Sequence, residues 1–262
     1  MTYEHIRVAR EAHVATVTFN RPEKANALNF EHLAEIEDAA LSFRDDPDTR
    51  VVIFTGTGRH FSSGADLTDP GDAYRGSLVL RRRRARIGER TIDALYNMDQ
   101  ITIAAWNGAA MGGGACIATA LDFRIGSIGC FMQYPEVDIG VNLMWKSLPL
   151  CVHLAGPARA KRLVAGGERI PAETLLEWGI LDELVPSTEL LERAHSLAEF
   201  YAGKPPVAAQ MIKRSVNQIV SALDQAIMHM DFDQNLFSQG SEDRKIAIDA
   251  YLQNKTPTFT GN

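Results

Sequence analysis

The chain has 262 residues, of which 45% are hydrophobic and 23% charged, and its formal net charge is −6; this is the composition of a soluble globular protein with room for one large domain and a helical appendage. An acidic balance disfavours a nucleic-acid partner, the longest apolar runs fall short of a membrane span, and the opening Met1-Thr2-Tyr3-Glu4-His5 lacks the basic-then-apolar pattern of a signal peptide. Three scattered cysteines, Cys116, Cys130 and Cys151, suggest neither a disulfide framework nor a zinc site, so a reducing compartment, the cytoplasm, is expected.

Residues 13–20 alternate, with Ala15, Val17 and Phe19 on one side and Thr16 and Thr18 on the other, which predicts a strand. Phe30, Leu33, Ile36, Ala40 and Phe43 recur at helical spacing. Residues 50–55 form a short β-rich run, residues 76–98 read as one helix, and residues 101–106 (ITIAAW) as a buried strand. A helix is expected from Gly112 to Leu121, behind a glycine cluster, and a strand over residues 122–127. Beyond about residue 155 the pattern is nearly all helical, interrupted at Pro171, Pro186 and Pro205-Pro206. Strand–helix alternation giving way to helices predicts an α/β core with a helical C-terminal part.

Several familiar signatures fail. Gly112-Gly113-Gly114 stands where a dinucleotide fingerprint would, but Ile117 occupies the place of its last glycine, and no GK[ST] follows. Phe61 rules out a GxSxG elbow at Ser63. The histidines are dispersed without HExxH, so no metal site is expected. Arg81-Arg82-Arg83-Arg84 fits a solvated helix face, with proximity to a phosphate group as the other reading.

Two segments suit the stabilisation of an oxyanion by backbone N–H groups, where small residues allow close approach and a helix N-terminus adds free donors. They are residues 60–67 (HFSSGADL) and residues 106–114 (WNGAAMGGG). Taken alone, a glycine cluster before a helix is equally a tight turn. Together the segments resemble the FxxGADL and AxxNGxxxGGG elements of the crotonase (enoyl-CoA hydratase/isomerase) superfamily. The resemblance continues through FNRPEKANALN near the start, GPARAKRLVAGGERIPAETLLEWGILDELVP, and SEDRKIAIDAYLQNKTPTF at the end, in order and over nearly the whole chain.

The resemblance implies a crotonase-like spiral of ββα units over residues 1–200 and a helical oligomerisation region over residues 201–262, in a homotrimer or a hexamer formed as a dimer of trimers. It implies an enzyme acting on an acyl-CoA substrate, with coenzyme A arriving as part of that thioester and no permanently bound cofactor. The amides of Ala65 and Gly113 would form the oxyanion hole. Asp66, Leu67 and Thr68 would continue the acyl-CoA-binding loop, Lys24 and Ala25 would lie near the adenosine part, and Lys255 would approach the phosphates, often from a neighbouring subunit.

Family hydratases use two glutamates. The position of the first, three residues beyond Gly113, is Cys116 here, and its apolar neighbours suggest packing. The second matches Glu136 in Pro135-Glu136, a residue that outside this motif would read as an exposed loop acid. Residues 141–146 (VNLMWK) replace the family's PGxGGTQRL, and Met144 and Trp145 suggest an apolar wall, with core packing an equal explanation. One carboxylate suffices to move a proton from C2 to C4, so Δ3/Δ2-enoyl-CoA isomerisation is expected ahead of hydration of a 2-enoyl-CoA. Asp138 is the first candidate to align a water if hydration prevails. A non-catalytic acyl-CoA-binding protein is the rival from another class.

Overall fold

The structure, a computed structural model, describes residues 3–69, 76–253 and 255–262. Strands β1 (Ile6–Glu11) and β2 (Val14–Phe19) form an antiparallel hairpin. Ala15, Val17 and Phe19 are fully buried, as the alternation requires. β1 escaped the sequence reading because it is an edge strand that buries only Ile6, and its charged residues blur the period.

Helix α1 (Phe30–Ser42) starts where the Asn29 side chain accepts a hydrogen bond from the His32 N–H, a cap that contributes about 1 kcal/mol. It buries Leu33, Ile36 and Ala40. Strand β3 (Val51–Gly56) is buried throughout, as a parallel strand covered on both faces must be.

Residues 76–98 are not one helix but two, α2 (Leu78–Arg84) and α3 (Ile87–Tyr96), parted at Ala85-Arg86. The reason is packing. α3 buries Ile87, Ile92 and Leu95, whereas the arginine run leaves α2 without a buried residue and in solvent.

The chain then runs through β4 (Ile101–Trp106), β5 (Ala109–Met111), α4 (Gly113–Ala120), β6 (Phe123–Ser127) and β7 (Phe131–Gln133). Next come α5 (Ser147–Ala155), α6 (Pro157–Val164), β8 (Ile170–Pro171), α7 (Ala172–Glu177) and β9 (Glu183–Val185). The stretch beyond residue 155 is therefore not wholly helical, because β8 and β9 are short strands that exist through pairing with β7 and β6. The remaining helices are α8 (Leu190–Ala202), α9 (Pro206–Ser221), α10 (Gln225–Met228), α11 (Asp231–Gln239) and α12 (Glu242–Leu252).

One sheet has the order β1-β2-β3-β4-β6-β9 and the other β5-β7-β8. Successive turns of chain thus place one strand in each sheet, β4 then β5 and β6 then β7, which is a spiral of ββα units. Helix α9 is fastened to it by Lys213, whose Nζ pairs with Asp122 at 2.7 Å and donates to the Gln100 carbonyl at 2.6 Å. Removing one partner of so buried a pair costs about 3–5 kcal/mol. Among the described residues no helix is long and apolar enough to cross a membrane.

Candidate active site

Isolated bridges tie one turn of the spiral to the next. Leu28 pairs with Ala65, and Ser62 pairs with Ala110, both in parallel sense. The Ser62 N–H donates to the Ala109 carbonyl and the Met111 N–H to the Ser62 carbonyl, each at 3.0 Å. Carried forward with the same offset, this register sets Ala65 beside Gly113. The packing agrees: a Cβ on Gly64 would lie 2.6 Å from the Met111 carbonyl and 3.4 Å from the Gly113 nitrogen. Gly64, at φ 87°, lets the two backbones touch. Gly113 is the first residue of α4, so its N–H has no intrahelical acceptor. Among the described residues, neither the Ala65 nor the Gly113 N–H donates to a protein acceptor.

Each glycine of the triplet answers to a different neighbour. A Cβ on Gly112 would meet Glu136 Oε1 at 2.7 Å, one on Gly113 would meet the Trp145 ring at 2.2 Å, and one on Gly114 would meet Ser62 at 2.7 Å. Gly112 also has φ 46° and ψ −118°, a conformation open to few other residues. The triplet is therefore required by close approach and is more than a turn.

Glu136 follows β7 and precedes a short 3-10 turn, Val137–Ile139, which aims its side chain back at Gly112. The residue is half-buried, but Oε2 is fully buried and has no protein hydrogen-bond partner. Burial raises its pKa from 4.5 to about 7, with a smaller push from the negative charge of Asp138. A buried carboxylate poised near neutrality, beside backbone N–H groups that lack acceptors, can take a proton from carbon and return it.

Cys116 is buried, and its thiol is held well above its usual pKa, first by burial and then by the charge of Glu136. It stays protonated and packs. Asp138 sits on the exposed side of the 3-10 turn, its carboxylate 3.0 Å from where a Cβ on Gly167 would be, so it faces the 167 loop rather than Gly113.

The proposed substrate-loop residues fall into one group with a single outlier. Asp66 is buried and pairs with Arg21 at 3.1 Å, and it accepts hydrogen bonds from the N–H groups of Thr68 and Asp69 and from the Thr68 hydroxyl. Its pKa is lowered, because these donors and Arg21 outweigh burial. Lys24 Nζ donates to Thr68 Oγ1 at 3.1 Å. Ala25 and Asn26 are both left-handed and are strapped down by the Ser63 N–H to the Ala25 carbonyl and by Asn26 Nδ2 to the carbonyls of Thr57 and His60. Leu67 projects beside them, exposed. Lys255 is not brought here: its Nζ donates to Gln253 Oε1 on the exposed C-terminal segment.

Three residues near the site went unnoticed as sequence. Gly88 in α3 touches the Trp145 ring, Asp93 accepts from Lys146 Nζ, and Asp231 at the start of α11 accepts the Lys146 N–H at 2.8 Å. Burial raises the pKa of Asp231 to about 6. No local motif marks any of them, because each acts through a segment remote in sequence. Among the described residues, no group of three or more His, Cys, Asp or Glu side chains could hold a metal ion.

The family model "Enoyl-CoA hydratase/isomerase" matches residues 9–262. The crotonyl-CoA hydratase of Syntrophomonas wolfei is 29% identical over 260 residues, covering 99% of each chain. The crystal structure of a carnitinyl-CoA hydratase from Mycobacterium avium superposes with a TM-score of 0.86 at 28% identity, covering 100% of both chains. A monofunctional enoyl-CoA isomerase from M. smegmatis superposes with a TM-score of 0.71 at 29% identity, over 83% of this chain and 94% of that one. The chain belongs to the enoyl-CoA hydratase/isomerase family, within the crotonase superfamily, and is an enzyme of that family.

Proposed function

From that family membership we propose that the protein isomerises a 3-enoyl-CoA to a 2-enoyl-CoA, using Glu136 as its one proton carrier. The observation that supports this reading is the buried Glu136 carboxylate against Gly112, with a protonated, packed thiol at Cys116 where a second carboxylate would be needed for hydration. Glu136 takes the proton from C2. Electrons from that bond flow to the thioester oxygen, which the Ala65 and Gly113 N–H groups hold as a dienolate. Glu136 then returns the proton at C4, leaving the double bond between C2 and C3. A carboxyl pKa of about 7 suits both halves of that shuttle. Lys24, Ala25, Asp66, Leu67 and Thr68 would line the approach for coenzyme A, with Asp66 acting by holding the loop. Lys255, remote within one chain, would reach the phosphates of a substrate bound to another copy.

A second reading is hydration of a 2-enoyl-CoA, favoured by the names of two relatives, a crotonyl-CoA hydratase and a carnitinyl-CoA hydratase. Asp138 faces the wrong way to align a water, so this reading would turn to Asp231. Incubation with 2-enoyl- and 3-enoyl-CoA esters, with product identification, separates the two. Rapid hydration of the former with no turnover of the latter would overturn the isomerase reading.

Residues 201–262 are proposed to assemble the chain into trimers, alone or paired as hexamers. Met211, Ile212, Ile219 and Leu223 are large apolar side chains exposed at helical spacing on and just beyond α9, which supports an interface there. Light scattering at micromolar concentration checks this, and a monomer would refute it.

A further inference from the structure

The indole of Trp145 lies between two helices and rests on a glycine of each. A Cβ on Gly88 in α3 would come 2.0 Å from its Cε2, and one on Gly113 in α4 would come 2.2 Å from its Cζ3. Side chains never approach so closely, so the pyrrole side of the ring lies on the backbone of α3 and the benzo edge on that of α4. Any larger residue at either position would expel the ring. Leu28 joins the same contact, its Cδ1 3.2 Å from the Cβ position on Gly113. Glu136 Oε1 meets the neighbouring glycine, Gly112. An acyl group whose C2 and C4 lie within reach of Glu136, and whose thioester oxygen lies at the Gly113 N–H, therefore runs next into the indole.

The ring is held there deliberately. Trp145 and Lys146 are consecutive left-handed residues, at φ 67° and 57°, a conformation that side chains other than glycine resist. Three ties fix it: the Lys146 N–H to Asp231 Oδ2 at 2.8 Å, Lys146 Nζ to Asp93, and the Ser147 hydroxyl to the Trp145 carbonyl at 3.1 Å. Trp145 is half-buried, as a wall that faces an open site should be.

We propose that Trp145 closes the far end of the acyl site, between α3 and α4, and restricts the enzyme to short acyl groups of about crotonyl size. This rests on the acyl-CoA reading above and adds the class of ester to it. Beyond the reacting carbons, a longer chain would have to displace an indole anchored on both helices and break the ties of Lys146.

Two measurements test it. In the first, butyryl-CoA and octanoyl-CoA, neither of which can turn over, are titrated against the wild-type protein by calorimetry. Butyryl-CoA should bind at least about tenfold more tightly, since a pocket that lacks room rejects added methylenes by such factors. In the second, kcat/KM is compared for four-carbon and eight-carbon enoyl-CoA esters in wild type, Trp145→Phe and Trp145→Ala. The preference for the short ester should shrink stepwise, by at least about tenfold in total for alanine. Equal affinity of the wild type for both esters, or a preference that stays within about twofold across the variants, overturns this inference while leaving the acyl-CoA reading standing. No binding of either ester removes both. If Trp145→Ala does not fold, the Phe variant and the wild-type titration decide the matter.

Discussion

Two strips of chain meet at Gly113, next to the glycine that Glu136 touches, and they are built in opposite ways. On one side, residues 60–66 and 107–114 press backbone on backbone, and the left-handed positions are glycines: Gly64, Gly108 and Gly112. On the other side, residues 141–146 bring up an indole, and the left-handed positions are Trp145 and Lys146, held by hydrogen bonds from other elements. The first strip presents N–H groups whose position is fixed by the main chain, so its small residues have little freedom to vary. The second is fixed through side chains and can be altered one residue at a time. On the proposed reading, reaction and selectivity would fall to parts of different rigidity.

The largest expected effect is at Glu136, the carboxylate set against the first strip. Glu136→Gln keeps the shape but cannot accept a proton, and kcat should fall by about 10²–10⁴-fold. Affinity for a saturated CoA thioester should hardly move. Retained turnover, measured by following the double bond spectroscopically, would remove Glu136 from the chemistry.

Next comes Gly113→Pro, which deletes one proposed oxyanion donor at a helix position where proline is tolerated. Its ring would collide with Trp145, so the substitution is best made in the Trp145→Ala background. Against that background kcat should drop about 10²–10³-fold. An unchanged kcat in a folded variant would show that the Gly113 N–H does not stabilise the oxyanion.

The pH profile sharpens the contrast further. As a base, Glu136 must be ionised, so kcat/KM should rise about tenfold for each pH unit below its pKa of about 7 and then level off. Stability should run the other way. A raised carboxyl pKa means the native state binds more protons than the unfolded one between about 4.5 and about 7. That contribution is complete below the lower value and is lost as pH rises through the upper one. Thermal unfolding of Glu136→Gln should accordingly show its greatest advantage over wild type above pH 7. A flat difference across that range would mean that the carboxyl is not desolvated.

The smallest effect is expected at Cys116. Its thiol packs in a closed place and stays protonated, so Cys116→Ala should change kcat by less than about twofold. Its cost should be a modest fall in melting temperature from the small cavity left behind. A large loss of turnover with unchanged stability would reassign Cys116 to the chemistry.

Much of this was legible in the chain because short-range physics decides it. Ala15, Val17 and Phe19 alternate, so their strand and its buried face could be read; ITIAAW is continuously apolar, so a doubly covered strand followed. The motifs around Ala65, Gly112 and Glu136 could be read because they lie in contiguous segments whose small residues carry the constraint. Residues 76–98 misled because the periodicity continues through the arginines, although only the part after Arg86 finds a surface to pack on. Strands β5, β7, β8 and β9 are two or three residues long and carry no period of their own.

The sequence by itself determined the family, the longer strands and helices of the core, the glycines where backbones must touch, and that Glu136 stands at one of the two positions where family hydratases carry glutamates while Cys116 stands at the other. Only the tertiary structure decided what surrounds that carboxylate. Its pKa depends on burial, which is set by everything packed around it; the rotation of Asp138 away from Gly113 is set by the turn at Val137–Ile139 and the 167 loop. The seat of Trp145 depends on Gly88, Gly113, Asp93 and Asp231, which come from three helices and meet only when the chain is folded. Local pattern encodes which elements form, but the energy of a buried charge or a wedged ring is a sum over neighbours distant in sequence, and that sum exists only in three dimensions.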